Sequence, residues 1–287
     1  MNDGSSGALE GIRVVAAATN VPGPIAAARL AQLGASVEKI EPLRGDPLAT
    51  AAPQWYAKLH ERMKVVRLDL STERDRDIVY ERIAGADVLL TAMRARALER
   101  AGIAQETLRE RHPRLVQVAI VGETAPYRDR AGHDLTYQAR AGLLSPPGMP
   151  RTLVGDLAAA ERAVAATLAA LLARGRDGCG RCMEIGIVEA AEDFAAPLRY
   201  GLTAADGPLG GALPTYSLYR ASDDWVAVAA LEPHFMEGLR EMLEIETLDA
   251  QSIAAALARR PAKEWSRLAQ ARDVPLAEVN DRRESKA

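Results

Sequence analysis

Only two cysteines, Cys179 and Cys182, occur in the 287 residues, and they form a single CxxC. A closed zinc site takes four ligands, and the four histidines supply no HxxxH and no second CxxC exists to complete one. A redox CxxC normally follows a strand and opens a helix, whereas this pair lies in the loop GRDGCGRC after a helical stretch. No metal site is therefore expected. Aromatic side chains are scarce at 4%, with alanine leading the apolar set, so the core must be built from small and aliphatic groups. No charge of one sign dominates: the net charge is −3, which gives no electrostatic case for nucleic acid or an anionic membrane. No apolar run reaches membrane-spanning length, because Glu161 and Arg162 interrupt the best candidate. The first ten residues are polar and rich in Gly and Ser rather than signal-like, and a cytoplasmic protein is expected. The glycine fingerprint GxGxxG is absent too. The first strand–helix turn reads Val21-Pro22-Gly23-Pro24, with prolines where backbone N–H groups would hold a pyrophosphate, which argues against a nicotinamide dinucleotide.

What is present is an alternation of strand and helix patterns. Residues 12–18 (IRVVAAA) read as a buried parallel strand, and IAAARLAQLGA as a helix ending at Gly34. Residues 36–41 (SVEKIE) are the next strand, and 42–53 form a loop carrying Arg44-Gly45-Asp46-Pro47. KVVRLDL (64–70), ADVLL (86–90) and LVQVAIV (115–121) are further strands, with helices at 72–84, 97–101 and 106–112. A strand at 183–188 and a helix at 189–202 follow. The pattern predicts an α/β fold, a doubly wound, Rossmann-like and mostly parallel sheet, over residues 1–206. In such sheets ligands sit beyond the carboxyl ends of the strands. After the Gly/Pro-rich junction 207–214, two strands (215–220 and 225–231) and helices at 234–243 and 250–273 predict a second, smaller α+β domain over 207–287. Residues 1–9 and 274–287 read as tails.

The segment from Tyr127 to Gly175 concentrates the chemistry. His133-Asp134 sits after Gly132 in a loop, where functional residues concentrate. An apolar run and a loop with three prolines lead to Asp156, placed as the N-cap of an Ala/Leu helix. Leu157, Ala160, Val164, Leu168, Leu171 and Leu172 mark its apolar face, and Gly175 its stop. The positive end of the helix is expected to keep the Asp156 carboxylate ionised, ready to act as base or nucleophile. Asp is also a common cap with no other role.

Taken in order, these blocks resemble the class III CoA-transferase family, which also contains the 2-methylacyl-CoA racemases. LEGIRVVAAATNVPGPIAAARLAQLGASVEKIEPLRGDP is similar to the family's opening strand–helix–strand. KVVRLDL is similar to its Lys-containing strand, and ADVLLTAMRARALERAGI to the segment that usually carries Arg-Pro-Gly, here Arg94-Ala95-Arg96. PYRDRAGHDLTYQARAGLL, the Asp156 helix and LPTYSLYRASDDWVAVAALEPHF follow in family order.

The resemblance implies an acyl-CoA enzyme, with coenzyme A as part of the substrate and no permanently bound cofactor. Arg44, Lys64 and Arg94 match positions that hold the nucleotide and phosphates of CoA. Asp156 matches the family's essential carboxylate, His133 its proton-transfer partner in racemases, and Glu232 the acid that orients that histidine. Glu232 also suits a plain helix start before Pro233. Two reactions stay open: α-proton transfer between Asp156 and His133, slightly preferred, or CoA transfer through an Asp156 anhydride. Family members usually continue beyond the point corresponding to residue 287 and interlock as dimers. The expectation is a homodimer of altered form, or a heteromer with a paralogue in which this chain could be a non-catalytic CoA-binding subunit.

Overall fold

Six short strands form one parallel sheet: β1 (Arg13–Ala17), β2 (Ser36–Glu41), β3 (Met63–Arg67), β4 (Val88–Thr91), β5 (Val116–Val121) and β6 (Cys182–Gly186). The order is β3-β2-β1-β4-β5-β6, and every pairing is parallel. The computed structural model describes residues 7–279. Strands β1 and β4 are covered on both faces, so they carry Val, Leu and Ala without polar alternation. The strand order reverses between β1 and β4. That switch point leaves a crevice beyond their carboxyl ends.

Helices cover both faces of the sheet. They are α1 (Pro22–Gln32), α2 (Pro47–Ala51), α3 (Pro53–His60), α4 (Glu73–Ala84), α5 (Ala95–Arg100), α6 (Gln105–Arg111), α7 (Asp134–Arg140), α8 (Val154–Asp177) and α9 (Ile187–Phe194). On one face Val14, Leu90, Val118 and Ile120 pack with α1 and α8. On the other, Val15, Ile40 and Leu89 pack with Val79 and Ile83 of α4 and Leu108 of α6.

Several local expectations are corrected. Pro22 opens α1 rather than preceding it, because proline fits a first helical position where no N–H partner is needed. The 42–53 loop contains α2, capped by Asp46, whose side chain accepts from the Leu48 N–H at 2.9 Å. Helix α8 runs past Gly175 and stops at Gly178, which takes the left-handed conformation (φ 77°) that glycine adopts without strain. Ala160 and Val164 of its expected face are buried and Leu157, Leu168 and Leu171 pack against the core, but the buried surface is wider than that stripe. Ala158, Ala159, Ala160, Ala163 and Ala170 are buried, while Leu172 is 71% exposed. The alanines face the buried Ala26, Ala27 and Ala31 of α1, so the two backbones approach closely. An Ala159→Leu change would overpack this contact at a cost of about 1–3 kcal/mol.

The chain separates into two compact units, Met1–Ala195 and Ala196–Ala287. The boundary expected at 206/207 falls inside the second unit, just before a π-helical turn at Pro208–Ala212. This unit contains α10 (Ala196–Arg199), β7 (Tyr216–Arg220), β8 (Trp225–Ala229), α11 (Pro233–Leu243), α12 (Ala250–Leu257), α13 (Ala262–Ala271) and β9 (Leu276–Glu278). The three strands form an antiparallel sheet, and Leu239, Leu243, Ile253, Leu257 and Trp265 fill its own core. Parts of both expected tails are ordered. Leu9 is buried and bonds its N–H to the Leu33 carbonyl at 2.9 Å, and 276–278 form β9; residues 1–6 and 280–287 lie outside the described residues. Among the described residues no helix is long and apolar enough to cross a membrane.

Candidate active site

The residues after β1, β4 and β5 line a cleft of about 270 Å³ at the switch point. Asn20 follows β1, Arg94 follows β4, and Gly122 follows β5; His133, Tyr137 and Asp156 complete the wall. The structure therefore brings His133, Asp156 and Arg94 to one cavity. A second, larger cleft of about 790 Å³ carries Arg44, Arg94, Arg96 and Arg100. The two clefts share Thr19, Met93 and Arg94, so they adjoin at the start of α5.

Asp156 is not the cap of α8. It is the third helical residue, and Leu153 precedes the helix. The capping carboxylate comes from another element. Asp134, at the start of α7, accepts the Asp156 N–H on Oδ1 at 2.9 Å. Gln138, one turn along α7, donates Nε2 to Asp134 Oδ2 at 2.5 Å and to the Thr152 carbonyl at 2.9 Å. A free N–H of the α8 first turn is thereby satisfied from outside. Gly155 makes this possible: a Cβ there would lie 3.1 Å from Asp134 Oδ1 and 3.0 Å from Ile187.

The expectation of a permanently ionised Asp156 is also corrected. Its carboxyl group is pushed up to about 7, first by burial and second by the charge of Asp134. Among the described residues its oxygens accept no hydrogen bond that would favour the anion. Desolvation and a like charge therefore outweigh the helix terminus, whose effect is worth only about 0.3–1 kcal/mol at most sites. Asp156 is a carboxyl group poised to gain or lose a proton near neutrality.

His133 immediately precedes α7. Its backbone is tied on both sides by Thr136: the His133 N–H donates to Oγ1 at 3.1 Å, and the threonine hydroxyl donates to the His133 carbonyl at 2.8 Å. Tyr137 lies beneath, 5% exposed, with its acidity weakened by burial and by the Asp156 charge. A Cβ on Gly132 would come within 2.3 Å of the Tyr137 ring, so only glycine lets the loop lie on it. Asp134, Tyr137 and Gln138 were not singled out as site residues. Their spacing places them on one helical face once 134–140 is read as a helix.

The Arg44 loop rests on a buried ion cluster. The Lys39 ammonium lies 2.9 Å from Glu41 Oε1, 2.5 Å from Asp46 Oδ2 and 2.9 Å from His60 Nε2. Glu41, Asp46 and His60 lie close enough together to ligate a metal, but this ammonium already occupies their centre. His60 Nδ1 faces the Tyr56 carbonyl at 2.6 Å, so that nitrogen carries the proton and Nε2 accepts from Lys39. Burial, then the ammonium, holds the His60 ring below its usual range, in keeping with a neutral imidazole. Asp46 Oδ1 also takes the Asn20 N–H at 3.0 Å. One carboxylate thus fixes both the turn after β1 and the loop bearing Arg44.

One expected residue of the first unit is not brought to these clefts. Lys64 sits at the amino end of β3, 63% exposed and paired with Glu38 at 2.9 Å, and lines neither cleft. Glu232 belongs to the second unit, where it precedes α11 without a side-chain capping bond. Cys179 and Cys182 are both free and exposed. Arg96 and Arg100 are further cleft cations: Arg96 belongs to the triplet that departs from Arg-Pro-Gly, and Arg100 follows one turn later on α5.

The sequence profile of CoA-transferase family III matches residues 9–286. The chain belongs to CoA-transferase family III. A probable fatty acyl-CoA transferase of Mycobacterium tuberculosis, Rv3272, is 27% identical over 92% of this chain and 80% of its own length. Human alpha-methylacyl-CoA racemase is 29% identical over 84% of this chain and 66% of its own. The alpha subunit of succinyl-CoA–L-malate CoA-transferase from Chloroflexus aurantiacus is 31% identical over 82% of this chain and 61% of its own. The chain thus spans less than two thirds of the last two relatives. A crystal structure of Rv3272 superposes with a TM-score of 0.81 at 26% identity, covering 96% of this chain and 84% of that one. Class III members include both transferases and a racemase, so the family alone leaves the reaction open.

Proposed function

We propose that this family III protein moves the α-proton of an acyl-CoA thioester, with Asp156 and His133 as the two proton-transfer groups. One observation carries the reading. Both side chains line a single small cleft that adjoins a longer, arginine-bearing cleft at Arg94. Arg44 and Arg94 hold the phosphates of CoA in the longer cleft, and the uncharged pantetheine arm passes Met93 to the reaction cleft. Ionised Asp156 takes the α-proton: the C–H bond breaks, an O–H bond forms, and the electron pair moves onto the thioester oxygen. Protonated His133 then delivers a proton to the opposite face of the same carbon. A carboxyl group near 7 suits this work, because a catalytic acid or base is most effective close to the working pH.

A second reading has its own support. Asp156 accepts no hydrogen bond among the described residues, so its oxygens are open for attack on the thioester carbonyl, forming a mixed anhydride and releasing CoA thiolate. Relatives named as CoA-transferases fit this course. Incubation in D2O with 2-methylacyl-CoA, read by mass spectrometry, separates the two. Wash-in of one deuterium that needs both Asp156 and His133 supports proton transfer. CoA exchange with a free acid, lost in Asp156→Ala and kept in His133→Ala, replaces it with transfer. Assembly as a homodimer, or with a paralogous subunit as the alpha-subunit relative suggests, belongs to the same proposal and is read by light scattering.

A further inference from the structure

Tyr137 packs into the core of the first unit and is only 5% exposed, yet it also lines the small cleft with His133 and Asp156. A buried tyrosine usually finds a partner for its hydroxyl. Among the described residues this hydroxyl makes no hydrogen bond. Nor is its oxygen sealed in: the sealed, unpartnered side-chain oxygens among the described residues are Glu41 Oε2 and Glu189 Oε2. The phenol oxygen therefore meets the open cleft. Two glycines set its position. A Cβ on Gly132 would press on the ring, and one on Gly122 would lie 2.5 Å from the hydroxyl oxygen. The tip thus stands against bare backbone just after β5, where the Gly122 carbonyl is already taken by the Val188 N–H at 3.0 Å. Asp156 lies near enough for its charge to reach the phenol, but no bond joins the two. Burial, then that charge, raises the phenol above its ordinary range, so it stays a neutral O–H donor at physiological pH. Two guanidinium groups of the same cleft are already engaged: Arg128 pairs with Glu184, and Arg130 shares Glu123 with Arg140.

Either reaction of this cleft places negative charge on one atom, the thioester oxygen. In proton abstraction the C–H electron pair ends there. In attack by Asp156 a C–O bond forms, the carbonyl pair moves there, and it returns as the C–S bond breaks. That oxygen is two bonds from the α-carbon that Asp156 must reach. We propose that Tyr137 is a further catalytic residue, whose phenol O–H donates to the thioester oxygen and holds the charge that forms on it. The phenol keeps its own proton throughout. The inference rests on the acyl-CoA reading of the cleft and holds for either reaction. A preformed donor in a buried site acts where charge develops and needs no rearrangement to do so. An unpaired hydroxyl inside protein is unfavourable for folding, and phenylalanine removes it while keeping the ring.

Tyr137→Phe in the full chain tests this, with deuterium wash-in from D2O into 2-methylacyl-CoA and CoA exchange with a free acid as the two activity readouts. Whichever reaction the wild type performs, kcat should fall about 10²–10³-fold, the loss that follows removal of one donor to a developing oxyanion, while KM changes little. Free CoA should bind as before by calorimetry, the urea midpoint should stay or rise, and the Asp156-dependent limb of the pH–rate profile should stay in place. Turnover at the wild-type rate overturns the inference alone. So does a joint fall in urea midpoint and CoA affinity, which marks a tyrosine that only packs, and so does a displaced pH limb, which marks one acting through Asp156. A wild-type protein that binds no CoA, or performs neither reaction, overturns the acyl-CoA reading and the inference with it.

Discussion

Replacing Asp156 by Asn should abolish turnover and yet stabilise the protein at alkaline pH. The carboxyl is held near 7 in the fold against 3.8 in its ordinary state, by burial and by Asp134. A folded-state value above the unfolded one means that the fold binds the proton more tightly. Stability is therefore highest at low pH and is lost as pH rises from about 4 through 7. At 1.36 kcal/mol per tenfold step, the full cost is about 4 kcal/mol, of which about 2–3 kcal/mol develops between pH 5 and pH 8. Asn keeps the shape and removes the charge, and the Asp156 N–H bond to Asp134 is a backbone bond that survives the change. Urea unfolding of both proteins at pH 5 and pH 8 gives the difference directly, because other titrating groups cancel between them. The variant should gain about 2–3 kcal/mol over wild type on going from pH 5 to pH 8. A difference that does not change with pH, or that changes in the opposite sense, would refute the claim that Asp156 is a strained, near-neutral carboxyl.

Asp134→Asn removes the nearby charge and should move the Asp156-dependent limb of the pH–rate profile to lower pH, while Asp134→Ala also loses the α8 cap and about 1 kcal/mol in unfolding experiments. Lys39→Met leaves Glu41 and Asp46 buried without their cation, and should cost about 3–5 kcal/mol of stability by urea denaturation and weaken CoA binding through the loosened Arg44 loop. Arg44→Ala should weaken free CoA about tenfold or more by calorimetry, whereas Lys64→Ala, distant from both clefts, should leave it unchanged.

The strands were legible because β1, β4 and β5 are short runs rich in Val, Ile, Leu or Ala, and β2 and β3 place aliphatic residues among charged ones in a strand-length stretch between helices. The alternation of strands and helices placed the ligand beyond the carboxyl ends of the strands, whereas the reversal between β1 and β4 is visible only in the sheet itself. Short helices were harder. α2, α3 and α7 hold only 5, 8 and 7 residues, too few to show a 3.6-residue period, and Pro47 and Pro53 disguise helix starts as loop. On α8 the apolar stripe located the inward face apart from Leu172, but the alanines beside it carry little hydrophobic signal and owe their burial to close packing with α1. The charge state of Asp156 was out of reach. It depends on Asp134 arriving from α7 and on the depth of the cleft, neither of which spacing along the chain encodes. Lys64 shows the converse: a residue type in the right block, but on the first half of an edge strand, away from the ligand-binding end of the sheet.

Where the thioester lies decides the function. A crystal structure of the protein with a bound acyl-CoA would settle it. The α-carbon should lie between the Asp156 carboxyl and the His133 ring, with the nucleotide phosphates against Arg44. A thioester outside the Asp156 cleft, or phosphates away from Arg44, would contradict it.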